Sequence, residues 1–314
     1  MTFFDAIIQG IVQGLTEFLP VSSSGHLSIT QHILGTTENN LFFNVMLHVG
    51  TLVAVVAFYH KLFLSLIKEF FVLVKDVFTR KFKWSEMNYE RNLIMMLIIG
   101  LVPLFFLFVP IPGTDMKIKD LADVFTADSY LIVTAICLIV TSVLLSIGIF
   151  CNKRNIENGK KQKHSKDKNG KESFTVLDAV AVGCMQFVAA IFPGISRSGS
   201  TLSVGEMRGI NKQKALDYTF VLGTPAIIAA ALLEGIDALT SPEGISINPL
   251  VVITGMVVSA VVGYLAIVIF KWFLKTDKMF IFVIYTAIVG VIFLVISCIE
   301  LNTGVNLFTG VELH

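Results

Sequence analysis

The chain has 314 residues, 54% of them hydrophobic and 15% charged, with a mean hydropathy of +0.78. Soluble domains carry about 25% charged residues, so this composition excludes a soluble enzyme and indicates an all-α membrane protein that crosses the bilayer several times. The formal net charge of +1 singles out no charged partner, and no nucleic acid is expected.

The opening M-T-F-F-D lacks the basic stretch and the small-residue cleavage site of a signal peptide, so it reads as mature protein. Residues 1–35 form an apolar helix, a Pro/Ser/Gly break and a second short helix. Apolar runs at 42–60, 92–109 and 130–150 follow, each close to the ~20 residues that cross a bilayer. A Lys-rich segment, 152–173, has almost no apolar residue and is expected to be a mobile linker. Residues 175–211 repeat the helix–break–helix pattern, and runs at 214–234, 250–271 and 279–299 complete six spans. Cys137, Cys151, Cys184 and Cys298 show no metal or redox spacing.

The connections assign sides. One loop carries Lys61, Lys68, Lys75, Arg80, Lys81, Lys83 and Arg91, a second Lys153, Arg154 and the lysines up to Lys171, a third Lys271, Lys275 and Lys278. The positive-inside rule makes these cytoplasmic. The loops with Asp115, Asp120, Asp123 and Asp128, and with Glu234, Asp237 and Glu243, then lie outside. Full crossings at 1–35 or 175–211 would put the basic loops on alternating sides. Both segments are therefore expected to be re-entrant hairpins, entered from opposite faces. Irregular backbone at membrane depth is tolerated where protein or a wet cavity satisfies it, so the two breaks should face each other inside the protein.

This divides a single membrane domain (1–314) into repeats at 1–150 and 174–314, each a hairpin plus three spans, the second inverted. Gln13 and Gln186, Ser22–Gly25 and Ser196–Gly199, and Gly50-Thr51 and Gly223-Thr224 recur at an offset of 173 or 174 residues.

The breaks hold the chemistry. Q-G-L-T-E-F-L-P-V-S-S-S-G-H, from Gln13 to His26, supplies a carboxylate, three hydroxyls and an imidazole; P-G-I-S-R-S-G-S-T, from Pro193 to Thr201, adds a guanidinium. Each break opens a helix whose free N–H groups and dipole attract an anion. Arg197 suits phosphate through its planar fork. His26 can move a proton near neutrality, and Glu17 can orient it or hold a divalent cation. Ser22, Ser23 and Ser24 offer nucleophiles or phosphate ligands, and Gln13, one turn before Glu17, can bind phosphate or complete a metal shell. Blander readings compete: serines cap helices, and Glu17 with Arg197 could be a structural ion pair. His32, His48 and His60 are read as structural, and Asp217 as a partner of Lys212, Lys214 or Arg208.

These two motifs resemble those of the undecaprenyl pyrophosphate phosphatase family, the bacitracin-resistance type, over nearly the whole chain. The resemblance implies removal of the terminal phosphate from undecaprenyl pyrophosphate, giving undecaprenyl phosphate for cell-wall synthesis. It also implies a divalent cation, Mg²⁺ or Ca²⁺, and a site open to the extracytoplasmic side of the bacterial cell membrane. By motif position Glu17, Ser23 and His26 match catalytic residues, Arg197 the pyrophosphate-binding arginine, and Ser22, Ser196, Ser198 and Thr201 further polar groups of the site. Gln13 stands where many members have a second glutamate. The expected partner is a lipid pyrophosphate, with a homodimer as the oligomer considered. Ser23 or water can be the nucleophile, with His26 as general base. The inverted repeat also suits a transporter or flippase of a phosphorylated polyprenyl lipid.

Overall fold

The computed structural model describes residues 1–35, 41–81, 83, 87–126, 131–161, 170–240 and 248–313. The centre of the Lys-rich segment (162–169), Asp128 and Glu243 lie outside the described residues. Helices dominate: α1 (Phe3–Phe18), α2 (Ser23–Leu34), α3 (Leu41–Phe58), α4 (His60–Phe78), α5 (Tyr89–Leu101), α6 (Asp120–Thr126), α7 (Ile132–Lys161), α8 (Val176–Ile191), α9 (Arg197–Met207), α10 (Lys212–Thr240), α11 (Pro249–Lys275) and α12 (Phe280–Thr303). A 3₁₀ turn, Val102–Phe108, prolongs α5. Among the described residues, pairing between extended segments is limited to isolated bridges such as Pro110 with Lys117. Five helices are long and apolar enough to cross a membrane, with α3 and α4 forming a sixth if that bent pair counts as one span.

The two helix–break–helix units begin alike. Thr2 and Asp5 form a capping box at the start of α1, and Thr175 and Asp178 form the same box on α8. Each box satisfies orphan N–H groups of a first turn. The second helices also match: Ser22 caps α2 by accepting from Gly25 N at 3.2 Å, and Ser196 caps α9 by accepting from Gly199 N at 3.0 Å. Ser23 and Arg197 therefore occupy the same first-turn position in the two units.

Close helix contacts rest on small residues, as is usual where no water drives association. On α1, a methyl group added at Gly14 would lie 2.8 Å from the carbonyl oxygen of Ser259 on α11. On α5 and α8, Gly100 and Gly183 meet backbone to backbone. A Gly14→Val substitution is expected to push α1 from α11 and destabilise the protein by about 1–3 kcal/mol, the usual range for overpacking. Thermal unfolding in detergent checks it; an unchanged midpoint would show that α1 can shift freely.

The structure corrects several expectations. Most of the basic stretch 61–91 that is described is helix, not loop. Lys61, Lys68 and Lys75 ride on α4, which turns 84° from α3. Its Leu66 and Leu73 are buried, and Arg91 on α5 clamps it through Glu69 and Asp76, both at 2.8 Å. The Lys-rich linker begins as helix, because α7 continues to Lys161. Asp217 takes none of its expected partners. It accepts from Tyr59 at 2.7 Å and Lys271 at 3.1 Å, because α10 packs beside α3 and α11. Lys212 pairs with Asp277 instead, and Arg208 with Asp178 at 2.7 Å. These ion pairs gather at one end of the bundle. At the other end His32 pairs with Glu300 at 2.9 Å, and Leu307 N donates to the same carboxylate at 2.9 Å.

Candidate active site

The two breaks interlock at the centre of the protein. Ser198 Oγ donates to Leu19 O at 3.1 Å, joining the second break to the first. A methyl group on Gly25 would lie 3.0 Å from the Cα of Gly194, and one on Gly199 would lie 3.0 Å from Pro20 Cβ. Only glycine permits this approach of two backbones, and at Gly194 a φ of +96° adds a conformation that side chains disfavour. Thr141 on α7 pins the second break, donating to Gly194 O and accepting from Ser196 N, both at 3.0 Å. Ser22 itself adopts φ +74°, rare for a residue with a side chain.

The buried side chain of Glu17, 2% exposed, is the hub. Arg197 pairs with its Oε1 and also donates to Gly223 O at 3.3 Å. A methyl group on Gly223 would lie 2.8 Å from the guanidinium, so glycine there leaves room for the arginine. Oε2 accepts from Ser23 Oγ at 2.7 Å and from Gln13 Nε2 at 2.9 Å, and His48 Nε2 stands 3.6 Å away. A hydroxyl aimed at a carboxylate is the geometry of a nucleophile beside its base.

A cavity of about 350 Å³ opens over this hub. Glu17, Ser22, Ser23, Ser24, His48, Gln186 and Arg197 supply its polar wall, and Val45, Leu104, Ile195 and Ile227 its apolar wall. The first turns of α2 and α9 enter the wall through Ser23 and Arg197. Anion-attracting helix N-termini thus converge on one space.

The structure does not bring every expected residue to this cavity. Gln13 stands behind Glu17, fully buried. Ser196, Ser198 and Thr201 are buried within and between the breaks; Thr201 Oγ1 donates to Arg197 O at 2.7 Å. Those three hold the site together from behind its wall. His26 turns away. Its Nδ1 donates to Ser22 O at 2.8 Å, and its Nε2 accepts from Tyr285 Oη at 2.8 Å, with the rings stacked. A carbonyl accepts only, which fixes this tautomer.

Two further polar residues line the cavity. His48, expected to be structural, lies against Glu17 there. The available signal was its cost: an imidazole inside an apolar run is a functional candidate by default. Gln186, the echo of Gln13, joins the same wall, and its position in the repeat was the signal for it.

Among the described residues, no three His, Cys, Asp or Glu side chains gather where they could hold an ion. Glu17 is the one carboxylate among the described residues lining the cavity. Gln13 Oε1, however, is buried without a hydrogen bond. That carbonyl lies behind Glu17, so the cavity itself offers one carboxylate, which fits a cation shared with substrate phosphates, as Mg²⁺ is commonly held, better than one caged by protein alone.

A family model described as "Bacitracin resistance protein BacA" matches residues 6–292. The chain belongs to the BacA family. Curated relatives agree along its length. An undecaprenyl-diphosphatase of Alkaliphilus metalliredigens is 39% identical over 300 residues, 95% of this chain and 99% of the relative. One of Bacteroides fragilis is 35% identical over 308 residues, 96% of this chain and 100% of the relative. One of Methanosphaera stadtmanae is 32% identical over 305 residues, 95% and 99% of the two chains. The stretch matched to the BacA family includes both breaks and every residue that lines the cavity.

Proposed function

We propose that this BacA-family protein is an undecaprenyl-diphosphatase, cleaving the terminal phosphate from undecaprenyl pyrophosphate to give undecaprenyl phosphate and inorganic phosphate. The observation that carries the reading is one carboxylate, Glu17, hydrogen-bonded to both a serine hydroxyl and a guanidinium beside a largely apolar cavity. A transporter of the same lipid needs the guanidinium and the helix dipoles, but no hydroxyl poised on a carboxylate.

In this reading Arg197 and the first turns of α2 and α9 bind the diphosphate. Ser23 Oγ attacks the terminal phosphorus and passes its proton to Glu17 Oε2. The bond from phosphorus to the bridging oxygen breaks, and undecaprenyl phosphate leaves. Water then hydrolyses the phosphoserine; in the direct variant, water attacks in place of Ser23. His26, which the sequence suggested as base, here anchors Ser22 and thereby the serine turn. It reaches the headgroup only by releasing Tyr285. A divalent cation, Mg²⁺ or Ca²⁺, would be held by Glu17 together with phosphate oxygens, with Gln13 fixing that carboxylate from behind. Such a cation supplies neutralisation of the charge that builds on the leaving phosphate. The isoprenoid lies along the apolar wall, and its burial supplies most of the affinity.

The matched capping boxes and serine caps support a repeat of two helix–break–helix units, and the placement of the basic connections supports reading them as oppositely oriented re-entrant hairpins. Cavity residues such as Leu104 and Ile227 come from the span halves nearer the Lys-poor connections. This supports an opening to the extracytoplasmic side of the bacterial cell membrane.

Purified protein is expected to release phosphate from farnesyl pyrophosphate, to stop with a chelator, and to resume with Mg²⁺ or Ca²⁺. No release from any prenyl pyrophosphate tested would remove the hydrolase reading. Full activity in chelator would remove the cation. Rapid quench with labelled substrate is expected to leave phosphate on Ser23; no label would favour direct attack by water.

A further inference from the structure

We infer that Gln186 is a headgroup ligand, its side-chain amide donating to a phosphate oxygen of the diphosphate bound in the cavity. The substrate's identity rests on the phosphatase reading; the amide's task does not depend on turnover.

Gln186 lies on α8 and lines the cavity, yet its residue is only 1% exposed. Neither Nε2 nor Oε1 makes a hydrogen bond. Buried polar groups are almost always partnered, and one left open at a ligand cavity calls for an explanation. The neighbouring hairpin supplies it. Gln13 stands at the same address on α1, eleven residues after the capping threonine, as Gln186 does on α8. Gln13 spends its N–H on Glu17, four residues on. Four residues after Gln186 the chain has Ala190, which also lines the cavity. The second hairpin thus keeps the amide and lacks its carboxylate. The donor is left unspent beside a space walled by Arg197 and three serines, where oxyanions are the fitting acceptor, and a small turn of the side chain would present it there. Its Oε1 suits a protonated phosphate oxygen, which Arg197 cannot recognise because guanidinium only donates.

The test compares wild type with Gln186→Leu and Gln186→Glu. Binding of inorganic pyrophosphate is measured by calorimetry, KM and kcat with farnesyl pyrophosphate, and stability by thermal unfolding. Leu fills the space without a donor and is expected to weaken pyrophosphate binding and raise KM by about 10-fold or more, the usual loss for a hydrogen bond to a charged group. Glu sets a carboxylate against the phosphates and is expected to weaken binding further. The melting temperature of Gln186→Leu should equal or exceed that of wild type, because it removes an unsatisfied buried amide. Binding within twofold of wild type in both variants overturns the inference. So does a Leu variant that melts lower while binding normally, since the amide would then be structural. A wild type that binds pyrophosphate but releases no phosphate defeats the hydrolase reading and leaves this assignment standing.

Discussion

Glu17→Gln is expected to cut phosphate release by about 10²–10⁴-fold, the range for losing a general base. The amide is the same size, so packing survives. It cannot take the Ser23 proton, and its NH₂ sets a donor against the donors of Gln13, Ser23 or Arg197. Loss should appear in kcat, because the proton moves in the chemical step. Pyrophosphate binding should hold or tighten, since Arg197 loses its internal counter-charge and turns to the ligand. Steady-state kinetics with pyrophosphate titration checks both halves. A variant with full kcat would sink the assignment of Glu17 as the acceptor. His26→Ala separates the two bases: a milder loss, with Ser22 loosened, is expected if His26 anchors the turn. A loss larger than that of Glu17→Gln would return the general-base role to the imidazole.

Arg197→Ala is expected to lower kcat/KM by about 10²–10³-fold, as for removal of one charge-stabilising donor from a preorganised site. Its guanidinium is the cationic side chain among the described residues of the cavity wall, and its fork spans Glu17 and Gly223 O. Arg197→Lys keeps the charge and loses the fork, so it should recover only part of the loss. Stability should fall as well, because Glu17 would keep a buried charge without its partner. Breaking a fully buried pair costs about 3–5 kcal/mol, but solvent screening reduces that here because the arginine side chain is 28% exposed. Combining Arg197→Ala with Glu17→Gln should cost less than the two single losses together, since the residues act as one unit. Strict additivity would mean that they work independently and that the hub described above is incidental.

Much of the fold was legible because membrane spans announce themselves by length and apolarity. The breaks were legible for a different reason. Pro20, Ser22, Gly25 and their counterparts near Gly194 interrupt a helix locally, and a serine before a helix caps it whatever surrounds it. Helix α4 was not legible as helix. Its lysines at seven-residue spacing read as loop charge, and its burial depends on Leu66, Leu73 and the Arg91 clamp from α5. The partners of Asp217 were equally hidden, because Lys271 on α11 and Tyr59 at the bend between α3 and α4 lie far away in sequence.

The two motifs held Glu17, the serines and Arg197 of the site, but not His48 or Gln186, and not the direction in which any side chain points. In spans that are apolar nearly all round, the sequence does not fix how a helix is turned about its axis. That turn decides whether an imidazole meets a carboxylate or a tyrosine. So the sequence alone determined the membrane setting, the two serine-capped breaks and the inventory of Glu17, Ser23 and Arg197. The tertiary structure alone decided that His48 and Gln186 face the cavity while His26 faces Tyr285. Helix composition is a local property, whereas helix rotation is settled by packing between elements distant along the chain.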